Sequence, residues 1–149
     1  MSARRKSGLS TRDLHALDRA VYALFGGRRD VYSYLSEFLE GTYLVGTAQT
    51  GGEYRDVDVR TILADDVFDA RFPDGAMWST FCFLAADWLR AQTGLPVDYQ
   101  VQRQTQANAK YDGPRNPIGT GRGFAGYGDA TPFDVYGYRP APEPTEATP

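Results

Sequence analysis

A single cysteine, Cys82, and a single histidine, His15, occur in a chain of 149 residues. One cysteine excludes an internal disulfide and a cysteine-rich zinc site. One histidine removes histidine-based metal clusters and a Ser-His-Asp triad, and it lies beside an apolar helical stripe where a surface or edge position is expected. Catalysis in such a chain has to run on carboxylates, Arg, Lys, Tyr or a bound metal. Lysine is also scarce. Only Lys6 and Lys110 stand among the sixteen cationic residues, the rest being arginine, and the net charge of −3 supplies no global basic field for tight duplex nucleic-acid binding. No apolar run approaches the ~18–20 residues needed to cross a bilayer. The basic opening, Met1 to Lys6, is not followed by an apolar h-region, so no membrane association and a cytoplasmic location are expected.

The hydrophobic content of 42% and charged content of 23% are those of a globular protein, and the length suits one domain. The pattern predicts an α+β fold with a small mixed β-sheet and helices packed on one face. Residues 1–9 read as a basic flexible leader. Ser10 and Asp13 open a helix whose apolar stripe runs Leu14, Leu17, Val21, Leu24, Phe25. Asp30 caps a second, with Val31, Tyr34, Leu35, Phe38 and Leu39 on one face. Strands are expected over Thr42–Val45, from about Asp56 to Leu63, and over Leu95–Gln102. The acidic stretch Ala64–Pro73 reads as a solvated connection with at most one helical turn. A third helix is expected over Ala76–Gln92, burying Met77, Trp78, Phe81, Leu84, Ala85, Trp88 and Leu89. Residues 103–111 read as a short polar helix or ordered loop, closing a domain of residues 10–111. Glycine, proline and aromatic residues then crowd 112–139, predicting an irregular arm that wraps its own domain or a neighbouring subunit, and 140–149 read as a disordered tail.

The chemistry concentrates around Val45-Gly46-Thr47 and Asp56-Val57-Asp58-Val59. Successive strand side chains alternate faces, so Asp56 and Asp58 are expected on one face with Val57 and Val59 turned to the core. Paired carboxylates repel by about 3–4 kcal/mol at roughly 4–5 Å in an effective dielectric near 20, which favours a cation between them. Asp98, in the alternating strand Val97-Asp98-Tyr99, would join the same polar face if the two strands are neighbours. Three oxygen ligands without His or Cys suit Mg²⁺ or Mn²⁺. Thr47 and the amides of a glycine turn suit phosphate oxygens.

An apolar strand, Gly-Thr, a spacer, Asp-x-Asp and a later strand aspartate together resemble the DNA polymerase β-like nucleotidyltransferase superfamily, over about 42–102. Asp98 to Arg103 and Ala107 to Tyr111 add a likeness to its small stand-alone, phage-encoded members. Thr47 stands where serine is commoner, and Arg55 where a small polar residue is more usual. The resemblance implies a nucleotidyltransferase-like sheet and transfer of a nucleoside monophosphate from an NTP donor to an acceptor, with pyrophosphate leaving. It implies two Mg²⁺ (or Mn²⁺) ions held by Asp56, Asp58 and Asp98, the last also helping to deprotonate the acceptor hydroxyl. Gly46 and Thr47 would hold the β- and γ-phosphates. Arg103, Lys110, Arg115 and Arg122 are candidate triphosphate or acceptor contacts, with Asn108 and Tyr111 behind them. The acceptor is left open between nucleic acid, protein and small molecule. Two other readings stand beside this one: a catalytically inert relative that binds nucleotide or a protein, and an unrelated α+β interaction domain whose aspartates mark a polar sheet face.

Overall fold

The computed structural model describes residues 9–25, 37–46, 48 and 54–119. The leader to residue 8, most of the expected second helix, Thr47, Arg122, the remainder of the arm and the tail lie outside them. The described elements run α1 (Thr11–Phe25), β1 (Thr42–Val45), β2 (Val57–Leu63), α2 (Asp65–Arg71), α3 (Gly75–Thr93), β3 (Val97–Arg103), α4 (Gln104–Lys110) and β4 (Asn116–Pro117). The chain is mixed α/β, with one four-stranded sheet in the order β3-β2-β1-β4. β1 pairs antiparallel with β2 and β4, while β2 and β3 pair in parallel. No described helix is long and apolar enough to cross a membrane.

The sheet has two unlike faces because β2 and β3 alternate strictly. Val57, Val59, Thr61 and Leu63 are buried, as are Val97, Tyr99 and Val101, and each intervening residue is half-exposed. α1 and α3 lie against the buried face, where the Phe25 and Phe81 rings meet Tyr99 at 6.1 and 6.4 Å. Burying polar groups there requires partners. Tyr99 donates its hydroxyl to Thr61 Oγ1 (2.6 Å), Thr61 and Thr42 hydroxyls meet at 2.7 Å, and Thr42 donates to the Phe38 carbonyl (2.6 Å). With one proton per hydroxyl, the chain has a single direction and ties three strands to residues 37–40. Burial pushes the Tyr99 phenol well above its usual range.

β3 is an edge strand, a liability unless covered. α3 covers it. Trp78 Nε1 donates to the Val101 carbonyl (2.8 Å), Arg90 Nε donates to the Val97 carbonyl (3.0 Å), and the Val101 amide donates to Cys82 Sγ (3.4 Å). α3 itself starts where Asp74 accepts from the Met77 amide and stops at Gly94, whose φ of 73° suits glycine.

Several expectations are corrected. The acidic connection is the seven-residue helix α2, anchored because Asp65 accepts from both the amide and hydroxyl of Thr105. Met77 and Leu84 are exposed at 50% and 58%; Ala85 and Leu89 are buried as expected, Trp78, Phe81 and Trp88 partly so, and Cys82 and Ala86 are buried beside them. Small residues there let the helix lie close to the sheet and its edge. Past residue 111 the chain packs back onto the sheet. Ile118 is fully buried, its amide donates to the Thr42 carbonyl, and Asn116–Pro117 adds a strand beside β1.

Candidate functional site

On the open face of the sheet, the parallel register sets Asp58 directly beside Asp98. Cross-strand partners in a parallel pair point to the same side, with strands about 4.8 Å apart. The antiparallel register of β1 sets Val45 opposite Asp58, so the chain turns at Gly46 against that carboxylate. Gly46 has φ +81°, and a Cβ there would stand 2.5 Å from Asp58 Oδ2. Only glycine lets the bend approach so closely. Two of the three expected carboxylates and the glycine of the expected bend are therefore brought together, by the two strand registers.

Asp56 is placed differently. It lies in a bend ahead of β2, exposed, because the strand begins at Val57. Its charge still reaches Asp58, but among the described residues no three acidic, histidine or cysteine side chains converge enough to hold a metal ion. What stands between Asp58 and Asp98 is Arg60. Its guanidinium lies 3.8 Å from Asp58 Oδ1 and 3.4 Å from Asp98 Oδ2, and it donates to the Asp98 and Val59 carbonyls at 2.6 and 3.0 Å. Arg60 has no motif to mark it in the sequence, only the two-residue strand period that places it on the face of Asp58. Burial holds the Asp58 carboxyl above its usual range; Arg60 pulls it down, and Asp98 and Asp56 push it further up.

A cavity of about 200 Å³ opens over Asp58, lined among others by Gly46, Asp58, Arg60, Gln102, Tyr111 and Arg115. Tyr111 and Arg115 reach it because the chain doubles back after α4 toward β4. The Tyr111 hydroxyl donates to the Pro114 carbonyl (2.9 Å) and accepts weakly from the Gly46 amide (3.4 Å). Arg115 donates to the Ala107 and Tyr111 carbonyls at 3.2 and 3.0 Å, which fixes its side chain beside the cavity.

Arg103 is not part of this cluster. It grips Asp69 through two hydrogen bonds of 3.1 Å and lies 3.6 Å from Asp65, joining β3 to α2. It stands five residues along β3 from Asp98, about 16 Å at strand rise. Lys110 and Asn108 are exposed on α4, Lys110 lining a second groove with Arg103. Of the candidate triphosphate or acceptor contacts, Arg115 lines the cavity over Asp58 together with Arg60, whereas Arg103 and Lys110 line the second groove.

No family model, curated protein or solved structure matches the chain.

The donor set can be compared with the divalent ions expected. Asp58 and Asp98 offer carboxylate oxygens side by side, one of them desolvated, and that suits a hard cation. The pair fits one ion provided Arg60 yields its place. A second ion would draw on Asp56.

Proposed function

We propose that the protein is a divalent-cation-dependent nucleotidyltransferase that moves a nucleoside monophosphate from an NTP to a hydroxyl acceptor. The observation that carries this reading is the register pairing of Asp58 with Asp98 beside the Gly46 bend. It is supported by the resemblance of Gly46-Thr47, Asp56-x-Asp58 and Asp98 to the nucleotidyltransferase pattern. Asp58 and Asp98 would hold Mg²⁺ or Mn²⁺, with Asp56 contributing to a second ion. When bound, such ions neutralise developing charge on the attacking and leaving oxygens of an in-line displacement.

The remaining work falls to side chains of this chain. Gly46 keeps the bend free of a Cβ, so a phosphate can approach the backbone beside Asp58. Arg115, with Arg60, supplies positive charge to phosphate oxygens in the cavity. Asp98, the more exposed of the two carboxylates at 45%, is open to an incoming hydroxyl and takes its proton. The acceptor oxygen bonds to the α-phosphorus as the bond to pyrophosphate breaks. Positioning and charge neutralisation dominate such a transfer.

The test is incubation with each labelled NTP and Mg²⁺ or Mn²⁺, following pyrophosphate release or self-labelling. Asp58→Asn and Asp98→Asn are expected to abolish the signal. One observation favours a second reading, the inert nucleotide-binding relative: Arg60 already bridges the carboxylate pair from within the chain. NTP binding without turnover over a broad acceptor screen would decide for it.

A further inference from the structure

A groove of about 480 Å³, within the size range of small-molecule sites, runs from the polar face of β3 to the start of α3 and along α4. It shares Gln102 with the cavity over Asp58, and Gln100 follows Asp98 by one two-residue strand period, so the two lie near each other on the polar face of the sheet. Its lining has three chemistries. Phe72 and Trp78 supply aromatic surface, and Trp78 is oriented because its Nε1 is committed to the Val101 carbonyl. Gln100, Gln102 and Gln106 supply primary amides, and none of the three side chains forms a hydrogen bond with a described residue. Each amide offers both donors and an acceptor. Lys110 supplies a cation with no ion pair among the described residues, whereas Arg103 beside it is neutralised by Asp69 and Asp65.

We propose that this groove seats a nucleobase next to the transfer site. A flat heterocycle takes aromatic contact on its face and amide hydrogen bonds on its edge, glutamine being able to pair bidentately with such edges. Lys110, in the same lining, offers a cation to a phosphate attached to it. An aliphatic ligand would use the apolar wall and leave three amides without complementary edges. The inference rests on the nucleotidyltransferase reading. The base belongs either to the NTP donor or to a nucleotide acceptor, and binding experiments separate the two.

Titration calorimetry on the full chain with NTPs, a mixed-sequence RNA pentanucleotide and inorganic tripolyphosphate makes the test. Removing two amide contacts in Gln100→Ala/Gln106→Ala is expected to weaken base-bearing ligands about tenfold and leave tripolyphosphate unchanged. Gln106→Ala alone, at an exposed helix position, is expected to give about threefold. Weakened NTP assigns the groove to the donor base, and weakened pentanucleotide assigns it to the acceptor. Unchanged affinity for both, in variants that still release pyrophosphate from NTP, overturns the groove and leaves the transferase standing. Equal weakening of tripolyphosphate also overturns it. A wild-type chain that binds neither NTP nor tripolyphosphate overturns the transferase reading and this proposal together.

Discussion

Replacing Arg60 by methionine isolates the charge that holds the site together. The guanidinium lies 3.4 Å from Asp98 Oδ2 and 3.8 Å from Asp58 Oδ1. Each attraction is worth about 4–5 kcal/mol gross at an effective dielectric near 20. Desolvation of Arg60, whose side chain is 15% exposed, offsets much of that, and solvent screens Asp98 at 45% exposure. Exposed pairs contribute about 0–1 kcal/mol and broken buried pairs cost about 3–5. This site lies between, so Arg60→Met is expected to destabilise the fold by about 2–3 kcal/mol at pH 7. Two further bonds, to the Val59 and Asp98 carbonyls, go with it. Protonation of Asp58, whose folded-state pKa is raised, removes the repulsion Arg60 offsets, so the loss should shrink toward about 1–2 kcal/mol as pH falls through that raised value. Urea unfolding across pH 4–8 measures this. Adding Mn²⁺ at pH 7 should restore part of the stability, because the cation replaces the lost guanidinium. A loss that does not change with pH would refute the reasoning and reduce Arg60 to a packing residue.

Asp58→Asn should raise the unfolding midpoint at pH 7 while abolishing transfer. Asp58 has a folded-state pKa above its unfolded value, so its stabilisation is present at low pH and lost as pH rises through the folded pKa. The advantage of the variant over wild type should therefore close near pH 4, as thermal scans at both pH values would register. Gly46→Ala forces a side chain at φ +81° and 2.5 Å from Asp58 Oδ2, and should cost about 1–3 kcal/mol in urea unfolding, with weaker NTP binding. Trp78→Phe removes the 2.8 Å bond to the Val101 carbonyl and should cost about 1 kcal/mol. Hydrogen exchange at the β3 edge should speed up with it.

The sequence by itself determined the alternation of β2 and β3, because period-2 burial is written in Val57-Asp58-Val59 and Val97-Asp98-Tyr99. It also determined the bend at Gly46 and the extents of α1 and α3, where caps and glycine stops are local signals. Arg60 was legible by the same period only as a residue on that face; its link to Asp98 needs the neighbouring strand. Other features belonged to tertiary structure. Whether Asp58 and Asp98 meet depends on strand order and a parallel register, and a slip of one residue would have sent one of them to the core face. The presence of Tyr111 and Arg115 over the cavity depends on the chain returning to pair Asn116–Pro117 with β1, a contact more than seventy residues apart in sequence. The commitment of Arg103 to Asp69 likewise follows from packing α2 beside the end of β3. Local periodicity says which way a side chain faces. Only the pairing of distant strands says what it faces beside, because register is settled by the whole buried surface at once.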